Sequence, residues 1–497
     1  MENSFWYVDG VKKYPKLSSN VKVDACVIGG GLAGLMTAYE LSTRGLKVCV
    51  VEASVVGSGD SGRSSAMLSY AHDAVYSRLI KKHGKEKASE YLRLNESGLE
   101  KIKKIISENA LDCDYNDADM HLFSTTKKGK KQIHKEAKAY KTLGKDFEVT
   151  TNSELPYKVT ANLKIGSQGY LNPFKFLHCL CGLIEKNGGI IYENTKPSEA
   201  PDGETLWIGD YSVKAKHFVV ATHFPYIIMP GFYFAKIYRH RSRNIAFHTQ
   251  FELKGIYESV EDNGYEYRPI NGGILAGGNN ERTGRYKKKG GFLPVEEHIK
   301  DKFGADERKI VSRFSAHDCM TFDMLPYAGN YGMLGSKNLF VITGFNKWGF
   351  THSAVASDII SDLIEGKERE NLYDTKRLYI SKTPLKTVEN VANLLAGFGS
   401  LVIDSDMKKV SRVKNGTGAT VRINGKRIGL YREENGKIHA VSGVCPHMGC
   451  GLKWNQDELS WDCPCHGSRF GIHGNLLNNP ALTGLKELNM SNNSDVF

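Results

Sequence analysis

The sequence predicts a mixed α/β fold interleaved with a second, antiparallel-sheet α+β domain and followed by a small all-β domain, and three observations carry that prediction. A buried strand, a glycine-rich turn, a helix and a second buried strand succeed one another within residues 23–52. Strand-like runs such as RNIAFHTQFEL and GGILAGG lie between about 225 and 320, the material of an antiparallel platform. From Ser400 onward short apolar runs are separated by the turn pairs Asn424-Gly425 and Asn435-Gly436, the pattern of small β-hairpins.

Size and composition agree. At 497 residues the chain has room for three or four domains of about 100–200 residues each. With 40% hydrophobic and 25% charged residues and only 14 prolines, it reads as globular rather than disordered. The net charge of +12 is scattered, with small clusters only at 127–131 and 287–289, so a solvated lysine-rich surface is expected and no nucleic-acid partner. The opening MENSFWYVDGVKKYPKL has no apolar run after its charges. No later stretch approaches the roughly 20 apolar residues of a membrane span. A cytoplasmic location without a transmembrane segment is the expectation. Of ten cysteines, six (Cys26, Cys49, Cys113, Cys179, Cys181, Cys319) are spread without ligand spacing and are read as reduced core residues.

In VKVDACVIGGGLAGLMTAYELSTRGLKVCVVEAS, Val23 and Cys26, Val27 and Ile28 form the first strand. Gly29, Gly31 and Gly34 give G-x-G-x-x-G, and apolar residues recur at helical spacing over 32–41. The second strand, 48–51, ends in Glu52, 18 residues after the last glycine, where a carboxylate meets a ribose hydroxyl pair. The first glycine permits the turn, the second lets backbone approach a pyrophosphate, and the third lets helix pack on strand. The phosphates then face the helix N-terminus. A Rossmann-like dinucleotide site is the consequence.

The continuation VVGSGDSGRSSAML resembles the second fingerprint of the D-amino-acid-oxidase-like flavoproteins, the glycine and D-amino acid oxidase group. The pair GGIIYENTK and AKHFVVATH, the element TFDMLPYAG and the closing LFVITGFNKWGFTHSAVASDIISDLIEG resemble the same family in the same order. The resemblance covers about residues 1–380 and implies FAD. It carries over ring-side and phosphate-side roles to Ser61, Gly62, Arg63, Gly344, Lys347, Trp348, Gly349 and Thr351. Without it, Trp348 reads as a core aromatic beside a glycine turn. Enzymes of this fold dehydrogenate the C–N bond of an amine or amino acid, so the implied substrate is a small amine or amino acid derivative.

No residue declares itself as a base. Tyr70, His72, His223, His240, Arg241 and Lys347 are the polar candidates, although no spacing rule ties them together. Relatives often have a basic residue for the substrate carboxylate where this chain has Thr351, which argues against a simple amino acid. Cys319 does not match the position of a covalent flavin anchor and is read as a buried thiol.

The stretch CPHMGCGLKWNQDELSWDCPCHG offers Cys445-x-His447 and, later, Cys463-x-x-His466. Two loops with one thiolate and one imidazole each suit a two-iron cluster in which one iron takes both cysteines and the other both histidines. CPHMGC and CPCHGS resemble the Rieske family over about the last hundred residues. The resemblance assigns Cys445, Cys463, His447 and His466 to the 2Fe-2S cluster and implies a disulfide between Cys450 and Cys465. A closed zinc site is the rival, but zinc fingers space their ligands as C-x2-4-C and H-x3-5-H, and zinc leaves the extra cysteine pair unexplained. CPCH is not the C-x-x-C-H of c-type haem. Ser468 matches the serine that donates to a bridging sulfide in high-potential relatives, whereas Phe470 stands where those have a tyrosine donor.

The expected organisation is an FAD-dependent oxidoreductase over 1–383, with FAD-binding parts at about 20–80, 160–224 and 320–383 and a substrate domain at about 81–159 and 225–319. A linker helix at 384–399, with Leu385, Val388, Val391, Leu394 and Leu395 on one face, leads to a Rieske domain at 400–497. Together these imply an oxidoreductase that passes electrons singly to its own cluster and on to a one-electron acceptor. The alternatives are a flavin and Rieske electron-transfer protein serving a separate enzyme, or a reductase whose cluster, fed by a one-electron donor, supplies the flavin. The absence of a 2-His-1-carboxylate set outside the cluster motif argues against a Rieske oxygenase.

Overall fold

Val48–Val51 is buried at all four positions and pairs in parallel with Val21–Ile28, in the register Ala25↔Val48 to Ile28↔Val51. A strand covered on both faces reads as an unbroken apolar run, which is why this segment does not alternate. The structure, a computed structural model, describes residues 4–228, 230–284, 290–332, 337–367, 370–377 and 410–488. Two units are distinguished: Met1–His223, Ser242–Asn280 and Phe292–Arg377 form the first, and Phe224–Arg241, Glu281–Gly291 and Leu378–Phe497 the second.

In the first unit the mostly parallel sheet runs in the order Tyr327–Asn330, Leu339–Thr343, Tyr211–Val220, Val21–Ile28, Val48–Val51, Ile190–Tyr192, with Thr205–Ile208 added beside Tyr211–Val220. The crossover helix Leu32–Thr43 and the late helix Gly349–Ile364 pack on one another, and the long helix Lys85–Glu108 lies against the latter. At Gly98 a Cβ would sit 2.6 Å from the Thr351 carbonyl oxygen, so this contact needs glycine.

The second sheet runs Ile310–Thr321, Ile237–His248, Gly273–Arg282, Glu266–Ile270, Ile256–Ser259, Asn116–Ser124, Ala161–Tyr170, Met67–Leu68. Two hairpins, Ile256–Ser259 with Glu266–Ile270 and Glu266–Ile270 with Gly273–Arg282, form its centre. Ala161–Tyr170, expected in the nucleotide-binding part, belongs here because it pairs along its length with Asn116–Ser124. Beneath the sheet lies an aromatic core including Phe123, Tyr257, Tyr267 and Phe247.

The second unit holds a three-stranded antiparallel sheet, Thr417–Ile423, Lys426–Arg432 and Ile438–Ser442, whose first turn is Asn424-Gly425 with φ of 49° and 76°. Positive φ at both central residues is the type I′ geometry that matches strand twist. A four-stranded sheet, Lys453–Asn455, Ser460–Asp462, Arg469–Gly471 and Leu476–Asn478, follows. Phe224–Arg241, expected from residue 225 onward in the substrate domain, and Glu281–Gly291, expected there too, belong with this unit. The reason lies in two arginines on alternate positions of one strand. Arg239 donates to Gly467 O at 3.0 Å and Asn479 O at 2.9 Å, and Arg241 pairs with Glu458. The helix expected at 384–399 and the strand expected from SLVIDSD lie outside the described residues.

Candidate cofactor and substrate sites

The dinucleotide turn is built by close approach. Gly29 has φ of 117°, and a Cβ there would meet Ala221 O at 2.6 Å. At Gly34 a Cβ would come within 1.9 Å of Gly29 O, so the helix seats on the turn only with glycine. Gly31 begins Leu32–Thr43 without a side-chain cap. Leu32 N donates to Ser61 Oγ at 3.0 Å, which ties the second fingerprint to the first. Glu52 Oε2 accepts from Gly30 N at 2.7 Å and Oε1 from Ser54 N at 2.8 Å. Burial raises the Glu52 carboxyl despite these backbone donors. Gly62 is buried, and the Arg63 guanidinium makes no hydrogen bond or ion pair with the described residues. Glycine cradle, strand-end carboxylate and open guanidinium together fit an adenine dinucleotide.

The closing turn is strained in a way that functional sites favour. Asn346 and Lys347, neither of them glycine, have φ of 50° and 79° immediately after Gly344. Trp348 follows, 7% exposed, and its Nε1 has no hydrogen-bond partner among the described residues. Its ring stacks on His72 at 4.6 Å between centroids and 18° between planes. A buried indole donor without a partner, on the turn expected at the ring, fits a flavin.

Behind Trp348 one hydrogen-bond chain resolves its own tautomers. Asn95 Nδ2 donates to Tyr373 OH at 3.2 Å, and Tyr373 OH to His352 Nδ1 at 2.8 Å. His352 Nε2 then donates to Tyr91 OH at 3.1 Å, and Tyr91 OH to His72 Nδ1 at 2.8 Å. His72 Nε2 donates to Ser69 O at 2.7 Å and lies 3.1 Å from Thr351 Oγ1. Burial pushes His72 down to about 3 and His352 well below its ordinary value. Both rings are therefore neutral, and His72 has no free nitrogen for proton abstraction.

Lys347 faces four carboxyl groups. Burial would depress its ammonium, but Asp73, Glu258, Glu266 and Asp318 outweigh burial and hold it raised. Burial lifts the acids unequally. Asp73 stays well below the carboxylate range, because a hydrogen bond with Glu258 and the charges of Lys347 and Arg78 overcome burial. Glu258 is raised by burial and by Asp73, Glu266 is raised chiefly by burial, and Asp318 is pushed up to about 6 by burial against the pull of Lys347 and His223.

The other candidates lie elsewhere. Tyr70 is half-buried, and burial with Glu96 raises its phenol to about 12. His223, φ 63°, pairs through Nδ1 with Asp60 Oδ2 at 2.8 Å and through Nε2 accepts from Cys319 N at 3.1 Å, a buckle between loop and sheet. Cys319 is buried. Arg241, fully buried, is paired with Glu458 and lies 3.9 Å from Asp462 in the second unit, so its charge is neutralised there. His240 lies between Arg239 and Arg241 on the same strand and points to the opposite face.

Two loops of matching construction carry the four expected cluster ligands. Gly449 N donates to Cys445 O at 3.0 Å and Gly467 N to Cys463 O at 2.9 Å, so each loop folds back four residues after its cysteine. Cys450 and Cys465 are joined by a disulfide. The Cys445 and Cys463 side chains hydrogen-bond one another, and the His447 and His466 rings lie 5.0 Å apart at 88°. His447 Nδ1 and both nitrogens of His466 are buried without a hydrogen-bond partner among the described residues. Two thiols and two unpartnered imidazoles on facing loops fit a cluster that takes sulfur on one iron and nitrogen on the other. Ser468 lies on Cys445, and Phe470 is fully buried in the same core. Phe224 and Phe234 cover His466 at 6.0 and 5.8 Å.

Sequence reasoning missed Asp60, Asp73, Tyr91, Glu258, Glu266, Asp318 and His352. The one local signal was the alternation of Arg239, Arg241 and Arg243, a cationic strand face that had to find acids.

Comparison with known proteins assigns both parts of the chain to known families. Residues 24–363 match the family of FAD dependent oxidoreductases, and residues 405–489 match the Rieske [2Fe-2S] domain. The chain is 31% identical over 487 residues to YhfW of Bacillus subtilis, a protein named for a Rieske 2Fe-2S iron-sulfur centre, covering 96% of this chain and 95% of that one. It is 27% identical over 199 residues to gamma-glutamylputrescine oxidoreductase of Escherichia coli, 38% of this chain and 46% of that one. Among solved structures, glycine oxidase from Geobacillus kaustophilus superposes with a TM-score of 0.61 at 18% identity, over 72% of this chain and all of that one. L-amino acid deaminase from Proteus vulgaris superposes with a TM-score of 0.60 at 18% identity, over 74% of this chain and 97% of that one. No helix among the described residues is long and apolar enough to cross a membrane.

Proposed function

Since the chain belongs to the FAD dependent oxidoreductase family and carries a Rieske [2Fe-2S] domain, we propose that it dehydrogenates a C–N bond of an amine or amino acid derivative and that the electrons leave singly through its own cluster. FAD, when bound, supplies two-electron oxidation at carbon, and the cluster supplies one-electron transfer. Gly29, Gly31, Gly34, Glu52, Ser61, Gly62 and Arg63 would hold the dinucleotide, with Gly344, Lys347, Trp348, Gly349 and Thr351 at its ring. Cys445, His447, Cys463 and His466 would hold the cluster.

The observation that carries the reading is the make-up of the second unit. It is built not only from the C-terminal segment but also from Phe224–Arg241 and Glu281–Gly291 of the oxidoreductase half. Arg239 from the first of these grips the carbonyl of Gly467, the residue after ligand His466. A cluster domain whose second loop is held by oxidoreductase sequence is not a passive appendage. Tethering in one chain also gives the two redox centres a high effective concentration for each other. C–N chemistry draws support from relatives named for amine and amino acid oxidation.

This chain's residues have two tasks. The Trp348 turn, locked from behind by His72, Tyr91 and His352, orients what lies on it, and the carboxyl groups around Lys347 take up charge on the substrate side. Hydrogen removal from carbon requires a neutral amine, and Asp318, pushed up to about 6, is suited to accept the ammonium proton. Rapid anaerobic mixing with amines, following flavin and cluster separately, tests the reading.

A further inference from the structure

Glu258 on Ile256–Ser259 stands directly opposite Glu266, and Glu266 directly opposite Gly277 on the next strand. Opposed residues share a sheet face, and like charges so placed repel. Asn244 reaches the same row: a Cβ built on Gly277 would lie 2.4 Å from Glu266 Oε1 and 2.8 Å from Asn244 Oδ1. Asp73 hydrogen-bonds Glu258 from outside the sheet, and Asp318 adds a fourth carboxyl. Two cations, Lys347 and Arg78, act on this group.

We infer that this row binds the second ammonium of an alkyl diamine or polyamine that lacks a carboxylate. The inference rests on the C–N dehydrogenation reading and names its substrate class.

Three observations carry it. First, one acceptor in the row, Asn244 Oδ1, has no hydrogen-bond partner among the described residues, although Asn244 is only 1% exposed. Buried acceptors seek donors, and an alkylammonium brings three. Second, Glu266 and Asp318 keep some accessible surface while Glu258 is buried, and the space that a side chain on Gly277 would need is taken by Glu266 and Asn244, which brings these two polar groups together on the row. Third, the four carboxyl groups outnumber the two cations, Lys347 and Arg78, that act on them. Thr351 is 1% exposed and lies on His72, and Lys347 is already surrounded by four carboxyl groups.

The nitrogen being oxidised gives up its proton and is neutral, so the cation that Glu258 and Glu266 read is another one. A second nitrogen at the other end of an alkyl chain satisfies both demands.

The test uses FAD-loaded full-length protein with 1,4-diaminobutane, n-butylamine, glycine and N-methylglycine. Binding to the oxidised protein is measured by calorimetry, and anaerobic flavin bleaching is followed in parallel. The expected result is diamine binding at least about tenfold tighter than butylamine, with Glu266→Gln cutting that preference by about tenfold, as loss of a charge-assisted hydrogen bond does. Glu258→Gln serves as the second variant, and unchanged circular dichroism and flavin content show that both fold. Tighter binding of glycine or N-methylglycine than of the diamine, or a preference untouched by both variants, overturns the inference. If amino acids bleach the flavin and the diamine neither binds nor bleaches, the substrate class fails and C–N oxidation stands. If the diamine binds through Glu266 and no amine bleaches the flavin, C–N oxidation fails and the cation site stands.

Discussion

The His72 imidazole lies flat against the Trp348 indole, 4.6 Å away, and both of its nitrogens are engaged. The ring is a wedge that sets the indole plane. The chain from Asn95 through Tyr373, His352 and Tyr91 fixes the wedge, because each donor in it has one acceptor.

Tyr91→Phe removes the central hydroxyl and leaves His72 Nδ1 and His352 Nε2 buried without partners. The expected loss is about 1–3 kcal/mol for each group stranded. Urea unfolding of the FAD-loaded protein checks it, as a lower midpoint at unchanged slope. An unchanged midpoint would mean that the chain does not hold the turn.

The same two histidines set an acid limb. The His72 pKa is depressed to about 3 in the fold from an ordinary value of 6.5, so between these values the unfolded chain binds the extra proton. Stability from His72 is complete above about pH 6.5 and falls as pH drops toward 3, and His352 acts in the same direction. Melting temperature against pH should decline across that window, and His72→Asn should flatten the decline. A profile equally steep in the variant contradicts the assignment.

The glycine turn and the paired construction of the two Cys-His loops were legible in the sequence because their geometry is local: Gly29, Gly34 and each Cys-His loop act within a few residues. Glu258, Glu266 and Asp73 were not, since only strand register and a distant loop bring them together. The transfer of Phe224–Arg241 to the second unit was equally hidden. It depends on ion pairs between Arg241 and Glu458 that are 217 residues apart.

Arg241→Met tests that transfer. It leaves Glu458 and Asp462 short of a cation in a buried network shared with Arg469, at a cost of about 3–5 kcal/mol. Cluster loss on heating should accelerate while FAD retention is unaffected. A selective loss of flavin reduction with the cluster intact would instead place Arg241 at the substrate.

The potential of the cluster follows from its donors. Ser468 lies on Cys445, and Phe470 cannot donate. Ser468→Ala should lower the potential and Phe470→Tyr raise it, each by on the order of 50 mV for a one-electron couple. Redox titration reads both. A wild-type potential at the top of the Rieske range would contradict this account of the missing donor.

The central claim is that one chain takes electrons from a C–N bond and releases them through its own cluster. Anaerobic stopped-flow mixing with a reducing amine, with rapid-freeze electron spin resonance on matched samples, tests it most directly. The account predicts flavin bleaching first, then a reduced-cluster signal whose rate does not change with protein concentration, as transfer within one chain requires. A flavin that bleaches fully while the cluster stays oxidised would contradict it.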